Sequence, residues 1–334
     1  MSLLKIAAEA KNQQNQKIMP RTKKVSCDAI LFDIDNVLID TRHSYLEAIR
    51  WTIELYLTEG NIPLFSPVRN TELLISACDV HDFKLLGGFN DDWDCCYGLL
   101  VYLLSLPVKK RTMVDLKKAL SVKKFISQIK QRPLGVEGIT QIVERHPSVT
   151  IEKIGRIFQE IYLGRELFRA VEHKYSVHWK KRGLIEKERL IFKRRTLEKL
   201  VESGIRLGIA TGRPRFEALF ALKHFEIADL FDALTTMDDV KRAEREKKTP
   251  LRKPHPFSII ATAKRIPKAK SFLYVGDLPD DVLAANEAKE TLDIRSVAFP
   301  TFSSETSATL KEIQNAQPDY LIRSPGELLK LLRI

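Results

Sequence analysis

The sharpest change of hydrophobic pattern in the chain is at DAILFDIDNVLID, residues 28–40, where an apolar run ends in two carboxylates. Ala29, Ile30, Leu31 and Phe32 are apolar without alternation, which predicts a strand buried on both faces of a parallel sheet. Further runs of this kind follow at IRLGIA, SFLYVG, SVAF and DYLI, and FDALTT carries a short one. Elsewhere the apolar residues recur at helical spacing: Ser44 to about Leu57, the later part of 85–106, KKRTMVDLKKALSVKKFISQIK at 109–130 and a segment from about Val149. Another helix is expected from about Ile185 to Ser203, closed by Gly204, with PRFEALFALKHF, DVLAANEAKE and PGELLKLL after it. Strands alternating with helices predict an α/β fold with a Rossmann-like parallel sheet. The helical block without strands predicts an inserted domain over 44–190, leaving a core of 25–43 and 191–334 behind a tail of 1–24.

The expected chemistry gathers at the ends of these strands. Asp33 and Asp35 lie two positions apart at the carboxyl end of the first strand, where α/β proteins bind ligands. On an extended backbone they would share a face, and two such charges call for a proton or a divalent cation between them. Asn36 follows, a residue type suited to a positive φ. Thr211 and Gly212 close the IRLGIA strand ahead of a helix, where the threonine could cap the helix and the helix N-terminus could hold a phosphate. Asp277 and Asp281 flank a Leu-Pro-Asp turn that opens DVLAANEAKE, and Asp280 reads as charge favourable to a helix start. In the helical block, Asp91 or Asp92 is expected to cap the apolar helix, Trp93 to pack in a core, and Asn90 and Lys84 are the residues that would face a substrate.

Composition narrows the classes. No apolar run reaches the roughly 20 residues of a membrane span. The first 24 residues lack the hydrophobic region of a secretory signal and read as a tail. Cys27, Cys78, Cys95 and Cys96 have neither metal-ligand nor disulfide spacing, which suggests reduced thiols in the cytoplasm. A net charge of +12 raises nucleic acid as a partner. The basic residues are dispersed, however, and no base-stacking aromatic pattern accompanies them, so solvated helix faces and steering of an anionic substrate explain the charge better. The KRAEREKKTPLR stretch, 241–252, is expected to be a mobile surface loop.

Four segments, FDIDNVLIDT, GIRLGIATGRPR, KPHP at 253–256 and VGDLPDD at 275–281, resemble the four ordered motifs of the haloacid dehalogenase-like superfamily. The likeness is strongest to its phosphoglycolate-phosphatase-like branch, in which a helical cap follows the first motif; the family usually has glycine where this chain has Asn36. FQEIYLGRELF and GLIEKERL resemble a further set of capped phosphatases. The resemblance implies a phosphatase acting through an aspartyl-phosphate on Asp33, with Asp35 as acid and base. Thr211, Gly212, Lys253 and Asn36 would contact the phosphate. Mg²⁺ would be held by Asp33, the carbonyl of Asp35 and Asp277, with Asp281 as ligand or support. The substrate would be a small phosphorylated metabolite. A phosphomutase or a non-catalytic phosphate-binding protein on the same scaffold stays open, as does a homo-oligomer.

Overall fold

The structure, a computed structural model, describes residues 25–59, 64–66, 72–84, 89, 91–129, 136–140, 147–301 and 307–334. The expected tail and Asn90 lie outside these residues. The strands are β1 (Ala29–Phe32), β2 (Ile39–Asp40), β3 (Arg189–Leu190), β4 (Arg206–Ala210), β5 (Ala233–Thr235), β6 (Ser271–Gly276), β7 (Asp293–Ala298) and β8 (Tyr320–Leu321). Six form a parallel sheet in the order β5-β4-β1-β6-β7-β8, while β2 and β3 make a separate antiparallel ribbon. Strand β1 is central: Phe32 is in register with Ile209 of β4 on one side and with Val275 of β6 on the other. Its lack of alternation has the expected cause. Ile30 and Phe32 pack with Leu197, Leu200, Ala218 and Leu328 on one face, and Ala29 and Leu31 pack with Ile259, Ala263 and Ala284 on the other.

Helices between Tyr45 and Glu172 bury a second core of their own, built from residues such as Ile53, Phe83, Cys95, Leu99, Phe125 and Phe158. Trp93 packs here, its ring against Gly155, as the pattern led one to expect. Helix Ile151–Glu172 is interrupted at Gly164, whose φ of 73° is open to glycine at little strain. A Cβ at Gly164 would meet the backbone nitrogen of Gly183 at 2.1 Å, so two glycines let this helix touch the chain returning to the sheet. Among the described residues no helix is long and apolar enough to cross a membrane.

Three expectations are corrected. The basic segment 109–130 is two helices, Met113–Ala119 and Val122–Ile129, because the Ser121 amide turns out to donate to the Tyr102 hydroxyl at 2.9 Å. The helix expected from Ile185 begins only at Arg194; before it the chain makes a short 3₁₀ turn, Leu184–Lys187, and then β3. The charged 241–252 stretch is no loop over most of its length, since helix Met237–Lys247 runs through it. Thr236 and Asp239 start that helix with reciprocal hydrogen bonds, and Val240 and Ala243 bury against Leu251.

Candidate active site

Strand β1 ends at Phe32, and the backbone turns at once: Asp33 Oδ1 accepts from the Ile34 amide at 2.7 Å, and the amides of Val37, Leu38 and Ile39 all point at the Ile34 carbonyl. Asp33 and Asp35 are therefore arranged by a turn and not by an extended strand. Asn36 takes φ 55°, the conformation for which Asn substitutes for glycine, and its side-chain carbonyl accepts from the Thr41 hydroxyl at 3.1 Å. The neighbouring strands deliver the other groups to the same edge. Thr211 follows β4 and Asp277 follows β6.

Lys253 joins the two sides. Its Nζ lies 3.0 Å from Asp33 Oδ2 and 2.8 Å from Asp281 Oδ1. Asp281 also accepts from the Tyr274 hydroxyl at 2.9 Å, and through Oδ2 from the amides of Asp277 and Leu278 at 3.2 and 3.1 Å. Oxygens of Asp33, Asp277 and Asp281 all lie within 4.8 Å of one another. Crowding three carboxylates out of water has the expected electrostatic result. Burial pushes the Asp33 carboxyl up to about 6, against the pull of Lys253, and burial together with Asp281 and Asp33 raises Asp277 well above the usual range. Burial opposes the Lys253 charge, yet Asp281 and Asp33 hold that ammonium well above its ordinary pKa. Hard carboxylate oxygens with surplus negative charge are the donor set a divalent cation such as Mg²⁺ takes.

The space for Asp281 exists because residue 276 has no side chain. A Cβ on Gly276 would stand 2.2 Å from Asp281 Cβ, a rigid part of that residue. Gly276→Ala is expected to displace Asp281 and lower stability by about 1–3 kcal/mol, with a matching loss of activity. Thermal melting and steady-state rates check this; an alanine variant with wild-type values would refute it.

Asp35 points the other way. Its Oδ1 receives Arg213 Nη2 at 2.6 Å and Nε at 2.7 Å, and the same guanidinium reaches Glu188 Oε2 through Nη1 at 3.0 Å. Burial still leaves the Asp35 carboxyl above its usual range despite Arg213. Glu188 in turn accepts from the hydroxyls of Ser44 and Tyr162, both at 2.9 Å. Beside this network, buried Glu217 accepts from the Tyr45 hydroxyl at 2.7 Å and from Gln159 at 3.2 Å, and burial pushes its carboxyl up to about 7. A carboxyl raised on folding favours the folded state while protonated, so its contribution is complete below pH 4.5 and is lost as pH rises through 7. Glu217→Gln should remove up to about 3 kcal/mol of that pH-dependent loss, read as a flatter plot of stability against pH between 4.5 and 7. An unchanged slope would contradict it.

The structure thus brings together Asp33, Asp277, Asp281 and Lys253, with Thr211, Gly212, Asp35 and Asn36 on the same rim. Thr211 is buried and its hydroxyl accepts from the Arg213 amide at 3.2 Å; the cap of helix Arg215–His224 is Pro214, so the threonine does not cap that helix. Asp91 is the cap of helix Asp92–Ser105, accepting from the Trp93 amide at 2.9 Å. Asp280 stands in the first turn of helix Pro279–Ala288 as expected. Lys84 pairs with Asp92, and Arg252, next to Lys253, lies 3.5 Å from Asp91, so the helical segment meets the sheet beside the carboxylates. Sequence reasoning missed Arg213, Glu188, Tyr274 and Glu217. Arg213 directly follows Thr211-Gly212 and Glu188 lies within GLIEKERL, which are usable signals; Tyr274 and Glu217 carry none.

The chain thus combines a parallel sheet carrying acids at its carboxyl edge with a helical segment inserted after the first strand. The profile of the haloacid dehalogenase-like hydrolases matches residues 27–289, and the chain belongs to that family. It is similar to a candidate pyrophosphatase PpaX of Caldanaerobacter subterraneus subsp. tengcongensis, 26% identical over 66% of this chain and 90% of that protein. Among solved structures it resembles phosphatase Tt82 from Thermococcus thioreducens, with a TM-score of 0.58 and 23% identity over 86% of this chain and 98% of the other. A candidate phosphoglycolate phosphatase from Lactobacillus delbrueckii subsp. bulgaricus aligns with a TM-score of 0.54 and 14% identity over 92% and 99% of the two chains.

Proposed function

We propose that this hydrolase is a Mg²⁺-dependent phosphatase cleaving a small, soluble phosphate monoester through an aspartyl-phosphate on Asp33. The observation that carries the reading is the Asp33, Asp277 and Asp281 cluster around Lys253 at the carboxyl edge of β1 and β6. Asp33 is held from both oxygens, by the Ile34 amide and by Lys253, which orients it for attack on phosphorus. As the oxygen–phosphorus bond to the leaving group breaks, Asp35 gives that oxygen a proton, and afterwards takes one from the water that hydrolyses the acyl phosphate. Thr211, Gly212 and Lys253 would receive phosphoryl oxygens, with the turn at Asn36 on the same rim.

Asp33, Asp277 and the carbonyl of Asp35 would hold Mg²⁺, which when bound offsets negative charge between nucleophile and phosphate. Asp281 would act as a further ligand or as a support, since its oxygens also fix Lys253 and the 277–278 backbone. Residues 44–190 act as a cap over a core of 25–43 and 191–334, and such a roof favours small substrates. A cytoplasmic setting, expected from the cysteine pattern, belongs to the same reading.

The test is a panel with Mg²⁺: phosphoglycolate, sugar phosphates, inorganic pyrophosphate, a phosphopeptide and a 5′-phosphorylated oligonucleotide. A small phosphate should show the highest kcat/KM, with inorganic phosphate released. The best kcat/KM on the peptide or oligonucleotide would overturn the small-substrate reading, and transfer of phosphate to a second hydroxyl would make the enzyme a mutase.

A further inference from the structure

Arg213 is among the largest fully buried side chains in the molecule, and its charge is spent on two carboxylates that come from different parts of the chain. One is Asp35. The other, Glu188, sits just ahead of β3, where the chain returns from the helical segment to the sheet. Glu188, on the return crossing, is itself held by the outward crossing and by the helical segment. Ser44 lies on the outward crossing, immediately before helix Tyr45–Thr58, and Tyr162 lies on helix Ile151–Glu172, its ring stacked on Tyr45 at 4.4 Å between centroids. Strands β2 and β3, the two crossings themselves, pair through Ile39 with Leu190 and Asp40 with Arg189, and the Ile191 amide adds a bond to the Leu38 carbonyl at 2.8 Å. Since the side chain of Arg213 has no exposed surface, it is not a contact for substrate. What it touches is the orientation of Asp35 on one side and the seating of the helical segment on the other.

We propose that Arg213, gripped by Glu188, is a positioning residue that ties the aim of the Asp35 carboxylate to the seating of the helical segment on the sheet. Arginine suits this place because its fork addresses two carboxylates in one plane, and a lysine would offer a single point charge. The inference rests on the reading of Asp35 as acid and base. It adds that this proton-transfer group is aimed only while both crossings are in place, so a substrate that seats the segment also sets the acid.

The experiment is a double-mutant cycle on the best small phosphate from the panel. Arg213→Gln and Glu188→Gln should each lower kcat by roughly 10²-fold, the size of a lost acid–base contribution, with KM changed by less than about threefold. Arg213→Lys should recover part of the rate. In an Asp35→Asn background the same substitutions should cost less than about threefold more, because they act through a group already removed. Full multiplication of the two losses, or a rise in KM with kcat intact, would overturn the proposal and leave the phosphatase reading standing. Should Arg213→Gln fail to fold, Glu188→Gln and Arg213→Lys carry the same cycle. Wild-type turnover in Asp35→Asn beside a dead Asp33→Asn would instead remove the acid–base reading, and the proposal with it.

Discussion

Asp33→Asn is expected to abolish turnover, by on the order of 10⁴-fold or more, while the protein stays folded. The amide keeps the volume of the carboxylate and can still accept from the Ile34 amide, but it cannot form the covalent bond to phosphorus. The stability side has a definite sign. Burial raises the Asp33 carboxyl to about 6, so its ionised form is disfavoured in the fold, and this group's contribution to stability declines as pH rises from the usual carboxylate range through 6. Replacing it with a neutral amide should therefore leave the metal-free protein at pH 7 melting no lower than wild type. Rates and melting curves at pH 7 check both halves; near wild-type hydrolysis in a folded variant would remove Asp33 as nucleophile.

Withdrawal of divalent cation is the second large effect. Asp33 and Asp277 are both pushed up by burial and by neighbouring acids, so a cation bound among them relieves repulsion that Lys253 alone leaves in place. Exhaustive chelation should eliminate activity. Independently of activity, Mg²⁺ at 100 times its Kd should stabilise the fold by about 2.7 kcal/mol, seen as a raised Tm. Asp277→Ala should lose that shift, whereas Asp280→Ala should keep it. Affinity should also fall below pH 6, where protons compete for Asp33. Ca²⁺, which prefers more ligands at longer distance, should bind and inhibit. Undiminished turnover after chelation would sink the metal assignment.

Much of the fold was legible because its signals are local. The run Ala29–Phe32, the Thr211-Gly212 ending and the turn before Asp281 each combine an apolar strand with polar residues at its end, and the sheet needs nothing more to bring them to one edge. The Thr236–Asp239 capping pair was equally local, yet the charged 241–252 stretch read as a loop because its stabilising contacts are the few buried residues Val240, Ala243 and Leu251 in a mostly charged helix. The break near Ser121 was not legible at all: neither glycine nor proline marks it, and its partner is Tyr102 on another helix. The same holds for the Asp35–Arg213–Glu188 chain. Asp35 was legible as a site residue, but its partners Arg213 and Glu188 look like ordinary surface charge in one dimension, and only tertiary packing removes those two from water beside it.

The central place of β1 sets the order in which this protein can be made. Ala29 waits for Arg206 of β4 and for Phe272 of β6, so once β1 leaves a ribosome it has no sheet partner until about 180 further residues have followed, and its second only after about 240. At 5–20 residues per second that interval is roughly ten seconds to more than half a minute. The helices between Tyr45 and Glu172 own a hydrophobic core and can collapse during it, whereas the apolar AILF segment stays unpaired. Newly made chains should accordingly be most prone to aggregate, and most dependent on chaperones, in the window between completion of the helical segment and emergence of β6.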